Sequence, residues 1–160
     1  MDYLYNFTSS SMNDWKIVDD RVMGGVSQGG FNISEEGHGI FSGHVSLDYN
    51  GGFSSLMYPT KSINVEDFKK VIIRVKGDKK KYQFRLKANQ SDYYSYIQTF
   101  ETNGEWQEIE IAFKNFFPSF RGRTLDMPNF PGKQIEEMRF LIANYKEEDF
   151  RIEIDWIALK

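Results

Sequence analysis

The side chains best suited to bind another molecule lie in two segments of alternating polarity near the middle of the chain. In the first segment Arg85 stands between two large apolar residues, and in the second Ile97 stands between two polar ones. Because neighbouring side chains of a β-strand point to opposite faces, we expect the apolar residues to face a core and the polar residues to face water. If the two strands are neighbours, one outer face carries Arg85, Tyr94, Tyr96 and Gln98. Flat rings stack on sugars or contact proteins, and guanidinium and amide groups donate hydrogen bonds, so this face is a candidate binding surface. An ordinary half-exposed sheet is the alternative.

Two further arginines, Arg121 and Arg123, are separated by one glycine and follow an aromatic cluster at 116–120. Two guanidinium groups at this spacing can hold a carboxylate or a phosphate in a bidentate manner. The stretch 115–132 that contains them is long and irregular, and such loops in a compact domain are often functional. We therefore add both arginines to the candidate binding surface, with salt bridges to nearby acids as the alternative.

The loop from Asp19 to Gly30 is a second long irregular stretch. In its functional interpretation, two adjacent glycines free the backbone and the loop presents Arg21 and Ser27 to a partner. In the alternative it is a tight connection between strands, in which Asp20 caps exposed amide groups and Met23 fills the core. It is not a phosphate loop, because it lacks a Gly-Lys-Ser or Gly-Lys-Thr ending and a following helix. The candidate residues of this loop are Asp20, Arg21, Met23, Gly24, Gly25 and Ser27.

Catalytic and metal-binding patterns are weak in this sequence. The two histidines, His38 and His44, show no metal-ligand spacing, and no Gly-x-Ser-x-Gly elbow of a hydrolase is present. Adjacent acidic residues on a strand point to opposite faces, whereas a glycosidase needs two carboxylates that face each other. A calcium site made of carboxylates and loop carbonyls stays an alternative, although no Asp-x-Asp-x-Asp-Gly loop supports it. We expect no cofactor and no metal, and we expect a protein that is not an enzyme.

Alternation of apolar and polar residues dominates the rest of the chain and predicts β-strands. The predicted strands cover 41–47, 71–76, 82–87, 93–100, 109–113, 139–143 and 151–156. Turn signals separate them, including Asn103-Gly104 and the string Asn50-Gly51-Gly52-Phe53, for which we predict a hairpin turn. Only 65–70 and 133–138 suggest single helical turns. Short strands separated by turns are typical of an all-β sandwich.

Composition limits the classes of protein to which the chain can belong. Its 160 residues fit one domain, residues 1–160, and contain no cysteine, which excludes disulfides and zinc thiolate sites. The net charge is −3 with both signs interspersed, which argues against a nucleic-acid partner. No apolar run approaches the ~20 residues of a transmembrane helix. The first residues resemble neither a secretory signal nor a mitochondrial leader.

The string from Trp15 to Gly29, with its Asp-x-Val-Met-Gly-Gly-x-Ser centre, resembles the opening motif of the complex I intermediate-associated protein family. The resemblance continues through 41–47, 50–55, 71–77, 82–86, Trp106, Phe116, 120–123 and 152–157. It implies a jelly-roll β-sandwich of the galactose-binding-like kind. It also implies kinship with an assembly factor for respiratory NADH:ubiquinone oxidoreductase.

These observations together lead to a functional hypothesis. We expect a non-enzymatic binding domain whose partner is a protein, such as a subunit of the respiratory complex, and whose contact surface is the polar sheet face and the Arg121 loop. A carbohydrate-binding module of the same fold is the first alternative. A sandwich-fold lyase or hydrolase is the second, and it would require a deep pocket where His38 or His44 meets a carboxylate and a tyrosine. We expect the protein in the bacterial cytoplasm, held at the inner membrane only through a partner.

Overall fold

Two antiparallel β-sheets packed face to face form the molecule. The computed structural model describes residues 2–9 and 14–160. The strands in this part of the chain are β1 (Asp2–Asn6), β2 (Lys16–Asp19), β3 (Gln28–Ile33), β4 (Gly39–Val45), β5 (Ser54–Asn64), β6 (Lys70–Lys76), β7 (Lys81–Lys87), β8 (Ser95–Glu101), β9 (Trp106–Ala112), β10 (Phe117–Phe120), β11 (Arg123–Thr124), β12 (Gln134–Ile142) and β13 (Glu148–Leu159). Short 3-10 turns cover Phe7–Ser9, Asp20–Met23, Asp48–Asn50 and Phe113–Asn115. The architecture confirms the predicted all-β sandwich.

The six-stranded sheet is built around the last strand of the chain. Its order is β3-β4-β13-β6-β9, and β1 also pairs with β13. Residues 148–154 of β13 pair with β4, and residues 156–159 pair with β1. Since β6 occupies the other edge of β13, β1 and β4 lie end to end along the same edge. The ends of the described chain are thus held in one sheet.

The seven-stranded sheet carries most of the residues of functional interest. Its order is β11-β10-β8-β7-β12-β5-β2. The three central strands β7, β12 and β5 are joined by long antiparallel registers, in which Arg85 lies opposite Arg139 and Leu141 lies opposite Ser55. Residues directly opposite each other share a face, so these registers decide which side chains point outward.

An apolar core fills the space between the sheets. The cluster of buried residues combines Val71, Ile73 and Val75 of β6 with Phe84 and Leu86 of β7, and it extends into every long strand. These are the positions at which the apolar alternation of the sequence predicted inward-facing side chains. Burial of large apolar side chains stabilises the fold by about 1.5–3 kcal/mol each relative to exposure.

The helical turn predicted at 133–138 is wrong. Strand β12 covers this stretch, and a β-bulge between Ile135 and Glu137 shifts its register against β5. The bulge lets Ile135 and Met138, three residues apart, both be fully buried. A bulged strand therefore reproduces the apolar spacing that usually indicates a helix. At 65–70 the structure has a turn closed by the amide of Phe68 on the carbonyl of Val65, and then the start of β6.

Among residues 2–9 and 14–160, none of the helical segments has the length and apolarity needed to cross a lipid bilayer.

Candidate functional site

The carboxylate of Asp20 is the centre of the loop that the sequence singles out. Asp20 is 0% exposed and accepts hydrogen bonds from the amides of Ser27 at 2.8 Å and Gly52 at 2.6 Å. The amide of Phe53, at 3.3 Å, and the Ser27 hydroxyl also donate to it. Burial opposes ionisation of Asp20, but these hydrogen bonds outweigh it and hold its pKa below the ordinary value. One carboxylate thus ties the 20–27 loop to the 51–53 loop.

Two glycines let these loops approach Asp20. A Cβ on Gly25 would lie 2.6 Å from the Asp20 carboxyl carbon, and a Cβ on Gly51 would lie 2.4 Å from its Oδ2. The hairpin turn predicted for Asn50-Gly51-Gly52-Phe53 is therefore wrong. The segment connects β4 and β5, which belong to different sheets, and it packs against Asp20 across the sandwich edge.

The structure divides the predicted roles of the motif loop. Asp20 does cap amide groups, which confirms that part of the structural interpretation. Met23 is 63% exposed, so its predicted place in the core is wrong. Ser27 is 0% exposed and accepts the Ser46 amide at 2.8 Å, so it is not presented to a partner. Arg21 is exposed, and its Nε donates to Asp19 at 2.8 Å. Gly24 has φ 88° and ends the 3-10 turn.

The 20–27 loop and the longer 46–53 loop, which contains residues 51–53, present a group of exposed apolar side chains, which we call the apolar rim. It consists of Val22, Met23, Val26, Leu47 and Tyr49. Tyr49, 74% exposed, adopts a left-handed backbone conformation with φ 58°. Since Asp20 and Ser27 fasten both loops to each other, these side chains are displayed from a fixed framework. Exposed apolar side chains grouped on two loops that are joined to each other are the arrangement expected of an interaction site.

The outer face of the seven-stranded sheet is the second candidate surface, which we call the arginine face. A row across the sheet places Lys16, Met57, Arg139, Arg85, Ile97 and Phe117 side by side. The row beside it consists of Val18, Ser55, Leu141, Gln83 and Thr99. Arg85 and Arg139 are thus neighbours on adjacent strands at the centre of the sheet.

The two arginines of this face have few acids and hydrogen-bond acceptors near them. The terminal nitrogens of Arg139 lie 3.4 Å from the Ser55 hydroxyl, 3.0 Å from the Met57 sulfur and 3.6 Å from Glu137, while its buried Nε has no hydrogen-bond partner. The Nε of Arg85 donates to Gln83 at 2.8 Å. Burial, reinforced by the charge of Arg139, lowers the pKa of Arg85 to about 10. Two like charges therefore share one weakly hydrated site.

Register, rather than apolarity, decides which residues of β8 face outward. Ile97 and Tyr96 are both buried, but Ile97 lies opposite Arg85 on the outer face, whereas Tyr96 lies opposite Leu86 and belongs to the core cluster. The prediction that Tyr96 and Gln98 point outward with Arg85 is therefore wrong. Gln98 lies opposite the buried Phe84, and its side chain donates to the carbonyl of Asn115 at 2.9 Å. Burial raises the pKa of Tyr96 to about 12.

Tyr94 and Arg121 join a third surface, the aromatic corner. The Tyr93 ring lies 5.1 Å from the rings of both Tyr94 and Phe120, and the Arg121 guanidinium lies 5.1 Å from the Phe120 ring centre. Arg123 lies opposite Phe120 in the short β10–β11 pair and is exposed. The candidate residues that the sequence grouped on one face are thus divided between the arginine face, the core side of β8 and this corner.

Sequence reasoning missed Arg139. The residue stands between the buried Met138 and Phe140, as Arg85 stands between Phe84 and Leu86, so the same alternation marks it. The assumption of a helical turn at 133–138 hid this signal.

Both histidines contact acids at the surface of the other sheet. His38 lies 3.3 Å from Glu153 and against the Trp106 ring, and His44 lies 2.8 Å from the exposed Asp149. Within the described residues, no group of three or more histidine or acidic side chains is placed to hold a metal ion.

Comparison with known sequences identifies relatives along nearly the whole chain. A family model described as Complex I intermediate-associated protein 30 matches residues 5–154. The mitochondrial protein of that name from Mus musculus is 22% identical over 92% of this chain and 52% of its own length. An uncharacterized protein of Schizosaccharomyces pombe is 26% identical over 82% of this chain and 69% of its own length. The chain therefore spans about half the length of the mouse protein.

Comparison with solved structures shows the fold. A family 11 carbohydrate-binding module from Clostridium thermocellum, solved with a beta-1,3-1,4-mixed-linked tetrasaccharide, has a TM-score of 0.71 at 17% identity, covering 99% of this chain and 94% of that one. An agarase has a TM-score of 0.66 at 11% identity and covers 99% of this chain with 24% of its own. These similarities confirm the predicted galactose-binding-like jelly roll.

Proposed function

The chain belongs to the Complex I intermediate-associated protein 30 family, and from this premise we propose that it is a non-catalytic binding domain that makes protein contacts during assembly of respiratory NADH:ubiquinone oxidoreductase. The apolar rim is the observation that supports this proposal. Binding to an assembling complex there would hold the domain at the surface of the membrane in which the complex forms.

The rim has the chemistry of a protein interface. Five of the nine large apolar side chains that are exposed in the described part of the chain belong to it. Methionine and tyrosine, represented by Met23 and Tyr49, are enriched in the buried centres of such interfaces. Each large side chain can contribute strongly to binding when a partner excludes water from it.

The rim is also preorganised. The 20–27 loop and the 46–53 loop are fixed by the bonds of Asp20 and by the Ser46 amide on the Ser27 hydroxyl. Binding to a surface that is already ordered avoids the entropic cost of fixing loops at the moment of association. The family motif therefore serves the contact indirectly, by holding the side chains around it.

The test is site-specific photo-crosslinking in cells. A photo-reactive phenylalanine analogue replaces Met23, and a control chain carries it at the exposed Tyr145 on another loop. We expect the first chain, and not the second, to form covalent adducts with subunits of respiratory NADH:ubiquinone oxidoreductase or its assembly intermediates.

A matched pair of substitutions measures the contribution of the rim. Tyr49 and Tyr145 are both exposed and both adopt left-handed backbone conformations, with φ 58° and 59°. Asparagine tolerates this conformation, so neither Tyr49→Asn nor Tyr145→Asn should strain the fold. We expect Tyr49→Asn to reduce recovery of the respiratory subunits at least about tenfold, with Tyr145→Asn unchanged. Equal recovery by both variants would contradict the proposal.

Carbohydrate binding is the second candidate function, and the aromatic corner supports it. Tyr93 and Phe120 are exposed rings, and Arg121 beside them can donate hydrogen bonds to hydroxyl groups. Calorimetric titration with a broad panel of oligosaccharides tests this candidate. Heat of binding that disappears in Tyr93→Ala would support it, and no binding across the panel would remove it.

A further inference from the structure

We propose that the arginine face binds the carboxylate group of a sugar acid at Arg85 and Arg139. This proposal goes beyond the protein contacts of the apolar rim and uses none of its residues. Its premise is that two arginines lie side by side on adjacent strands, largely withdrawn from water, and that Glu137 is the one acid of the described residues within 4.0 Å of the pair.

The charge balance of the site favours an anion. Within the described part of the chain, no carboxylate lies within 4.0 Å of Arg85, and Arg139 has Glu137 at 3.6 Å. The side chain of Arg139 is 18% exposed, and its Nε is buried without an acceptor. A buried donor without a partner and two adjacent like charges both raise the free energy of the unbound protein. A carboxylate that accepts from both guanidinium groups would relieve both costs.

The charges already present favour an anionic ligand. Arg85, Arg139 and Glu137 together carry one net positive charge, and Lys87, which lies opposite Glu137 on the same face, adds a second. An anion can therefore bind there without leaving excess negative charge beside Glu137. The planar fork of a guanidinium also matches the two oxygens of a carboxylate.

The surroundings favour a hydroxylated ligand over a peptide. The row next to the arginines carries the amide group of Gln83 and the exposed hydroxyl of Thr99, which can exchange hydrogen bonds with sugar hydroxyls. The centres of protein interfaces are apolar and aromatic. None of the exposed large apolar side chains of the described residues comes from the central strands β5, β7 and β12. Ile97 and Leu141 of this face are buried, so the groups that Gln83 and Thr99 offer beside the arginines favour a hydroxylated acid over a peptide.

The test compares each acid with its neutral ester. Trimers of galacturonate, glucuronate and mannuronate are titrated into the intact chain by calorimetry, and their methyl esters serve as controls of the same shape. We expect at least one acid to bind and its methyl ester to bind at least about tenfold more weakly, since a charge-assisted hydrogen-bond pair is lost. Chemical shifts of the Ile97 and Leu141 methyl groups in the wild-type chain locate the site without any substitution.

Variants assign the interaction to the two arginines. We expect Arg85→Gln and Arg139→Gln each to weaken binding at least about tenfold, and Arg85→Lys to weaken it because the bidentate fork is lost. Arg74→Gln is the matched control, because Arg74 lies on the outer face of the other sheet and pairs with Asp155 at 3.1 Å. Thermal unfolding verifies that each variant is folded.

Several outcomes would overturn the proposal. These are equal binding of acid and methyl ester, no binding of any of the three acids, or binding that both glutamine variants leave unchanged. Tighter binding of inorganic phosphate or of a glutamate-rich peptide at the same arginines would overturn the assignment to a sugar acid. Met23→Ser and Tyr49→Asn should leave the titration unchanged, so failure here and failure of the rim proposal are distinguishable.

Discussion

Asp20 and the Arg85–Arg139 pair are both charged groups withdrawn from water, but the protein satisfies them to different degrees. The Asp20 carboxylate accepts from three backbone amides and one hydroxyl. Within the part of the chain that the structure describes, the arginines share one acid, and the buried Nε of Arg139 has no hydrogen-bond acceptor. A charge that is fully hydrogen-bonded within the protein stabilises the fold, whereas an unsatisfied one costs stability and can gain free energy from a ligand.

This difference separates the Asp20 loop, which the sequence motif marks, from Arg85 and Arg139, which we propose to bind a ligand. Within the Asp-x-Val-Met-Gly-Gly-x-Ser string, packing around the Asp20 carboxylate restricts Gly25 and Ser27, whereas Val22 and Met23 are exposed. Arg85 and Arg139 are inconspicuous because an arginine between two apolar residues is ordinary in a strand. We therefore expect substitution of Asp20 to lower the free energy of unfolding, and substitution of Arg85 to leave it unchanged or raise it.

The largest expected effect is the loss of stability in Asp20→Asn. The substitution keeps the shape but places an NH2 group against amide donors and removes a charge that four donors stabilise. We expect the free energy of unfolding, measured by urea denaturation at pH 7, to fall by about 3–5 kcal/mol. Asp48→Asn is the control, since Asp48 is exposed on the neighbouring loop, and it should change stability by less than about 0.5 kcal/mol. Similar losses of stability in Asp20→Asn and Asp48→Asn would show that the hydrogen bonds of Asp20 make no special contribution to the fold.

The stabilisation by Asp20 should also depend on pH in a defined direction. Hydrogen bonding holds the folded-state pKa of Asp20 below its unfolded value of about 3.9. The contribution is therefore complete above about pH 4 and is lost as the pH falls through the folded-state pKa. We expect the stability difference between wild type and Asp20→Asn to narrow steadily between about pH 4 and pH 2. Urea midpoints of both proteins at matched pH values measure it, and a constant difference would show that the charge contributes nothing.

A smaller loss should follow when the close packing around Asp20 is disturbed. In Gly51→Ala the new Cβ would lie 2.4 Å from the Asp20 carboxylate, so a loop must move and the Gly52 hydrogen bond must lengthen. We expect a loss of about 1–3 kcal/mol, measured by urea denaturation. Gly30→Ala is the matched control, because the nearest atom to its Cβ would be 3.8 Å away. An equal response of both glycines would mean that the loops adapt freely.

Local patterns predicted the sheets well because alternation and turn signals are local properties of a chain. They predicted the Asp20 network only in outline, since two of its donors, the amides of Gly52 and Phe53, are 32 and 33 residues away on a loop beyond the next strands. The expectation that Ile97 faces inward and Tyr96 outward is wrong, because a tyrosine side chain can face either the core or water. The pairing of Tyr96 with Leu86, a long-range register, decides the orientation of β8. Arg139 was missed for a related reason, because a bulge at Ile135 imitates helical spacing.

The smallest change, with the opposite sign, is expected at the arginine face. Methionine matches much of the length of arginine without its charge. Burial lowers the pKa of Arg85 to about 10, which means that its positive charge is less favourable in the folded protein than in the unfolded chain. We expect Arg85→Met to leave the free energy of unfolding unchanged or to raise it by about 1–2 kcal/mol. Arg74 provides the contrast, because its guanidinium pairs with Asp155 at 3.1 Å and lies 4.9 Å from the Trp106 ring. Arg74→Met should lose about 1 kcal/mol in the same urea titration. If Arg85→Met lowers the free energy of unfolding as much as Arg74→Met or more, then Arg85 stabilises the folded protein, and the contrast with Asp20 is contradicted.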